Sequence, residues 1–151
     1  MLSLTRTDSH NPDFRALVAL LDHDLAMRDG ADHGFYAQFN KVDAIRHVVV
    51  AYQDGEAVGC GAFKEYSPTE AEVKRMYVPA ARRGQGIAGL VLAELERWAA
   101  AEGYAACVLE TGRKQPEAIR LYEKSGYAHI PNYGQYAGVE NSVCLRKEVA
   151  G

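Results

Sequence analysis

Several things are scarce in this 151-residue chain, and each scarcity removes a class of function. Cysteine is limited to Cys60, Cys107 and Cys144. The number is odd, and each lies in an apolar, strand-like run. Buried reduced thiols are therefore expected, not a thiol nucleophile. Positive charge is not in excess: the net charge is −3, so no global field draws the chain to nucleic acid or to an anionic membrane. No apolar run approaches the roughly 20 residues of a membrane span. The opening MLSLTRTDSHNPD lacks the basic start and apolar stretch of a signal peptide. His10, His23, His33, His47 and His129 show no metal-ligand spacing, so no metal is expected. Repeats, low-complexity tracts and linkers are also missing. These absences lead to the expectation of one domain over 1–151, with no nucleic-acid or membrane partner and a cytoplasmic, reducing location.

What is present centres on residues 72–104. Glu72 to Val78 reads as a strand closed by Pro79, followed by Arg82, Arg83, Gly84, Gly86 and Gly89. From about Gly86 to Glu102, Ile87, Leu90, Val91, Leu95 and Trp98 recur at helical spacing. The first N–H groups of a helix have no internal partners, and the helix dipole adds partial positive charge there. Glycine lets a phosphate approach such a backbone closely. The stretch thus predicts a site for a phosphate-bearing ligand, and the Arg82–Arg83 pair suits one anionic ligand.

The rest of the chain surrounds this junction. Leu2 to Thr7 alternates as a strand. Asn11 and Pro12 read as the cap and first residue of a helix whose apolar face is Phe14, Leu17, Val18, Leu21 and Leu25. Residues 22–41 mix acids, histidines and aromatics without clean periodicity and suit either a solvated connector or a wall of the site. His47 to Tyr52, Ala57 to Tyr66 and the central strand follow one another through an Asp54–Gly55 turn and a Ser67–Pro68–Thr69 turn, which predicts an antiparallel meander. After the long helix, Ala105 to Glu110 should lie parallel to the central strand. Pro116 opens another helix, Gly126 caps it, and short strands at Tyr127 to Ile130 and Ser142 to Val149 finish the chain. The expected class is α/β (α+β): a mixed, mostly antiparallel central sheet with helices on both faces.

Gly84, Gly86 and Gly89 formally spell the dinucleotide fingerprint, and Glu110 stands where that motif wants an acid. Yet five residues, Pro79 to Arg83, separate the strand from the first glycine, where a dinucleotide site wants a tight turn. The unit also follows an antiparallel meander. Both features argue against a nicotinamide or flavin site, and no Gly-Lys-Ser/Thr follows to make a P-loop.

Counted from Arg83, the stretch Arg83-Gly84-Gln85-Gly86-Ile87-Ala88 resembles the Arg/Gln-x-x-Gly-x-Gly/Ala signature of the GCN5-related N-acetyltransferase (GNAT) family. Downstream, Ala118-Ile119-Arg120-Leu121-Tyr122-Glu123-Lys124-Ser125-Gly126-Tyr127 is similar to that family's second motif. The resemblance implies the acyl-CoA N-acyltransferase fold and acetyl-CoA as cosubstrate. It places the pyrophosphate on the N–H groups of Arg83, Gly84, Gln85, Gly86, Ile87 and Ala88, with Gly89 also at the cofactor. The pantetheine would run beside Met76, Tyr77 and Val78. Gln115 stands where the family often has Asn, keeping the amide on a longer arm.

Acetyl transfer to an amine needs a neutral amine, a stabilised thioester oxygen and a proton for the leaving thiolate. The resemblance implies Tyr122 as the acid and Glu72 as the base. Glu72 also fits a surface glutamate paired with Lys74, and Tyr122 also fits a core tyrosine. Asp24, Arg28, His33, Tyr36 and Tyr133 fall in segments that line the acceptor site of the family. The acceptor is expected to be a primary amine of a small molecule or peptide, with direct transfer in a ternary complex, and homodimers are common in the family. A CoA-binding sensor or partner subunit with the same fold is the alternative.

Overall fold

The computed structural model describes residues 1–29 and 44–150, apart from the side chains of residues 28 and 29. The elements are β1 (Leu2–Thr7), α1 (Pro12–Asp29), β2 (His47–Gln53), β3 (Glu56–Ser67), β4 (Glu70–Tyr77), α2 (Ile87–Ala101), β5 (Ala106–Gly112), α3 (Pro116–Lys124), β6 (Ala128–Ile130) and β7 (Ser142–Glu148). They follow the expected order. Most of the segment 22–41, read from the sequence as a connector or a wall of the site, falls outside the described residues.

The strands form one sheet in the order β1-β2-β3-β4-β5-β7-β6. Among the described residues, only the β4–β5 pair is parallel. A helical crossover, α2, makes that pairing possible, whereas tight turns join β2 to β3 and β3 to β4 as antiparallel hairpins. In β2, Val48 and Val50 pack with Phe14, Leu17 and Val18 of α1, while Val49 and Ala51 pack with Val91, Leu92 and Leu95 of α2. A strand covered on both faces has no polar side, which explains the unbroken HVVVAY run. Helix α3 shares the α2 face through Ala118, Ile119, Leu121 and Tyr122. Asn11 caps α1 as expected, its Oδ1 accepting the Phe14 N–H at 2.9 Å.

The glycines of β3 set the position of α2. A Cβ on Gly59 would lie 2.8 Å from Ile87 Cγ2, and one on Gly61 would lie 2.8 Å from Leu95 Cδ1 and 3.0 Å from Val91 Cγ1. Bare backbone at these two positions lets the helix lie close against the sheet. Its N-terminus is thereby held at the end of β4.

Two irregularities then open the sheet. The parallel ladder between β4 and β5 consists of Glu70↔Ala106, Ala71↔Cys107 and Glu72↔Val108. Beyond Glu72 the strands diverge, while β5 stays paired with β7 as far as Gly112↔Ser142. On its other side, β4 bulges: Cys60 pairs with Tyr77 but Ala62 with Lys74, so β4 carries an extra residue there. Within the bulge Arg75 has a φ of 61°, a left-handed conformation rare for a side chain of that size.

Candidate active site

The gap between β4 and β5 holds two adjoining cavities. The larger, about 300 Å3, runs from the turn at Gly84 and Gly86 along Met76, Tyr77 and Val78 to Tyr122. The smaller, about 110 Å3, lies between Glu72, Lys74 and Arg75 of β4 and Glu110 and Thr111 of β5. Leu21 and Leu25 of α1, Met76, Gln115, Ala118 and Tyr122 belong to both. Tyr122 therefore stands at the junction.

The large cavity has a helix terminus at one end. Helix α2 begins at Ile87, one residue later than the periodicity suggests. Gly86 is its N-cap with φ 79°, and Gly84 has φ 82°. Among the described residues, the N–H groups of Gly84 to Gly89 find no backbone acceptor, whereas the Arg83 N–H is donated to Ala80 O at 3.3 Å. A Cβ on Gly84, Gly86 or Gly89 would meet nothing within 4 Å. These glycines thus leave open space over a row of unpaired donors, the arrangement an anion requires.

Of the residues expected around acetyl-CoA, Met76, Tyr77, Val78, Arg83, Gly84, Gly86, Ile87, Ala88, Gly89 and Gln115 line the large cavity. Gln85 is exposed and does not line it. Gln115 is the N-cap position of α3, preceding Pro116 at the first helical position.

The arginine pair divides its work. Arg82 lines the cavity, but its guanidinium is turned to the β2–β3 hairpin, with Glu56 and with Gln53 Oε1 at 3.2 Å. It is therefore committed within the protein, not held for the ligand as the sequence suggests. Arg83 donates Nε to Val78 O at 2.8 Å and Nη2 to Asp24 at 3.3 Å, and it lies 5.7 Å from the centre of the Tyr77 ring. Asp24 accordingly stands at the large cavity, not at the acceptor side where it was expected.

Around the small cavity the charges are buried. Glu72 is 4% exposed, which excludes the reading of a surface glutamate. Its Oε2 accepts the Tyr133 hydroxyl at 2.8 Å, and Lys74 Nζ is 3.6 Å from Oε1. Tyr133 thus sits beside Glu72 without lining either cavity. Burial pulls the Lys74 ammonium below the ordinary lysine value, against the opposing pull of Glu72. Burial, with Glu110 adding to it, pushes the Tyr122 hydroxyl well above the ordinary tyrosine value. It keeps its proton at any working pH. Arg28, His33 and Tyr36 lie outside the described residues or side chains.

Arg75 is the residue that sequence reasoning missed. Its side chain is 2% exposed, and Nη1 donates to Asp22 Oδ1 at 2.8 Å. The only signal was Lys74-Arg75 in the middle of a strand otherwise due for burial. Local pattern could not reveal the bulge that turns Arg75 inward.

The site is thus a cleft in a mixed sheet, with an open helix terminus at one end and a buried carboxylate and tyrosine at the other. The acetyltransferase (GNAT) family model matches residues 8–127, and the chain belongs to this family. An IAA acetyltransferase of Azospirillum brasilense is 38% identical over 100 residues, covering 66% of this chain and 65% of that one. The Bacillus subtilis N-acetyltransferase YsnE, itself uncharacterized, is 33% identical over 101 residues, 66% of this chain and 67% of that one. The chain thus spans about two thirds of the length of these curated relatives. Among solved structures, a Klebsiella pneumoniae protein classed provisionally as an acyl-CoA N-acyltransferase aligns with a TM-score of 0.82 and 28% identity, covering 99% of this chain and 98% of that one. YncA of Salmonella typhimurium, solved with acetyl-CoA, shares the fold with a TM-score of 0.69 at 17% identity, covering 100% of this chain and 95% of its own.

Proposed function

We propose that the chain is one domain that transfers an acetyl group from acetyl-CoA to a primary amine, directly and within a ternary complex, in the cytoplasm. The observation that carries this reading is the meeting of two unlike cavities at Tyr122. One is mostly apolar and ends on unpaired helix-terminal donors, which suits a long ligand with a diphosphate. The other is polar and small, which suits an amine. Bound acetyl-CoA supplies the activated acyl group, and the chain's own residues do the rest.

The N–H groups of Gly84 to Gly89 hold the diphosphate, assisted by the partly exposed Arg83. The β4 backbone edge that faces β5, left without a strand partner beyond Glu72, holds the pantetheine beside Met76, Tyr77 and Val78 as a neighbouring strand would, and an N–H there meets the thioester oxygen as it gains charge. Gln115 orients the arm from the far side. Glu72 accepts the proton lost by the amine as the C–N bond forms, directly or through a water. Tyr122 donates its proton to the sulfur as the C–S bond breaks.

Calorimetric titration and turnover of Tyr122→Phe test this together. The wild type should bind acetyl-CoA at micromolar to millimolar concentration. The variant should keep that affinity while turnover falls by roughly a hundredfold, the usual weight of one general acid. Absence of binding at millimolar acetyl-CoA refutes the whole reading, and unchanged turnover removes Tyr122 from it.

A further inference from the structure

The small cavity is not neutral toward its occupant. Arg75 lines it, buried, in a left-handed conformation that a non-glycine residue adopts only under constraint. Its Nη1 is paired with Asp22, but its Nη2 is buried without any hydrogen-bond partner among the described residues. An unsatisfied buried cationic donor is destabilising unless something completes it. The guanidinium fork matches a carboxylate in both geometry and charge. On other parts of the wall stand the carboxyl groups of Glu72 and Glu110. Lys74, 3.6 Å from Glu72, lines the same wall, so one site offers cationic donors and anionic acceptors within about 110 Å3, which is small by the standard of drug-sized pockets.

From this juxtaposition we infer that the acceptor is a small zwitterion of the amino-acid type: its carboxylate completes Arg75 Nη2, while its amine lies against Glu72 and Glu110. The inference rests on the acetyl-transfer reading and narrows it, since a long peptide would not fit the cavity and a plain amine would leave Arg75 Nη2 without a partner. Arg75 then acts on specificity, through acceptor binding, and takes no part in the chemical step.

The test is a thiol-release assay on the wild type with the common α-amino acids and, for each, its carboxamide. At least one amino acid should be acetylated with a kcat/KM roughly tenfold to a hundredfold above that of its carboxamide, the worth of a charged hydrogen bond. In Arg75→Gln the KM of that amino acid should rise by a similar factor, kcat should hold, and the KM of the carboxamide should rise much less, since its neutral oxygen loses only the weaker hydrogen bond. Arg75→Lys should recover part of the loss. If either variant fails to fold, the wild-type acid-to-amide ratio still decides. Carboxamides accepted as well as acids, or amino acids refused by a protein that binds acetyl-CoA, would overturn the inference. Failure to bind acetyl-CoA would instead strike the acetyl-transfer reading beneath it.

Discussion

At the scale of single residues, burial decides chemistry more than residue type does. Cys60, Cys107 and Cys144 are all buried and unbridged. Burial pushes Cys60 and Cys107 up to about 12, from an ordinary 9.0. The native thiols should therefore react slowly with a disulfide reagent at pH 8, and all three should react at once in denaturant. Rapid reaction in the native protein would show that these strands open readily. The same shifts have a stability consequence. A thiol whose folded pKa is raised binds more protons in the native state between the two pKa values, so stability falls as pH rises from 9 toward 12. Urea titrations at pH 8 and pH 10.5 should show a lower midpoint at the higher pH. Glu72 and Tyr122 are the counterpart in the site: as candidates they were legible from their motif positions, but their burial was not.

Secondary-structure elements contribute by where they end and how closely they approach. The sequence shows Gly59 and Gly61 as interruptions of a strand, and the structure explains them as the seat of α2. Gly61→Ala would bring a Cβ to within 3.0 Å of Val91 and closer still to Leu95. It should destabilise the fold by about 1–3 kcal/mol, the usual range for overpacking. It should also weaken acetyl-CoA binding, because α2 carries the unpaired donors of the turn. Urea unfolding and calorimetry measure the two effects. A variant as stable as the wild type would show that α2 can move away without loss. The element boundaries themselves were largely visible, because caps and periodicity are local. The start of α2 at Ile87 instead of Gly86 reflects the left-handed conformation of Gly86, which periodicity does not register.

For the whole molecule, the sheet is nearly two sheets. One half runs β1-β2-β3-β4 and the other β5-β7-β6, joined edge to edge by a three-residue parallel ladder. A ligand in the gap would touch both halves and stabilise the native state by mass action. At acetyl-CoA near a hundredfold its Kd, about 2.7 kcal/mol is expected, or roughly 5–10 °C in Tm for a chain of this length. Differential scanning fluorimetry reads this directly, and an unmoved melting curve at saturating ligand would contradict a site in the gap.

Local pattern by itself determined the order of the elements, the antiparallel meander, the parallel crossover and the glycine turn that opens α2. These follow from alternation, helical spacing, capping residues and turn residues, all of which act over a few positions. The motif resemblance added Tyr122 and Glu72 as candidates. Only the tertiary structure decided that β4 and β5 part beyond Glu72, because that depends on which strand lies beside β5 and for how long. It also decided the partners of the charges: Arg82 with the hairpin, Asp24 with Arg83, and Arg75 turned inward by a bulge. Charge pairing is set by distance in space, and residues such as Asp22 and Arg75, far apart along the chain, carry no local mark of their meeting.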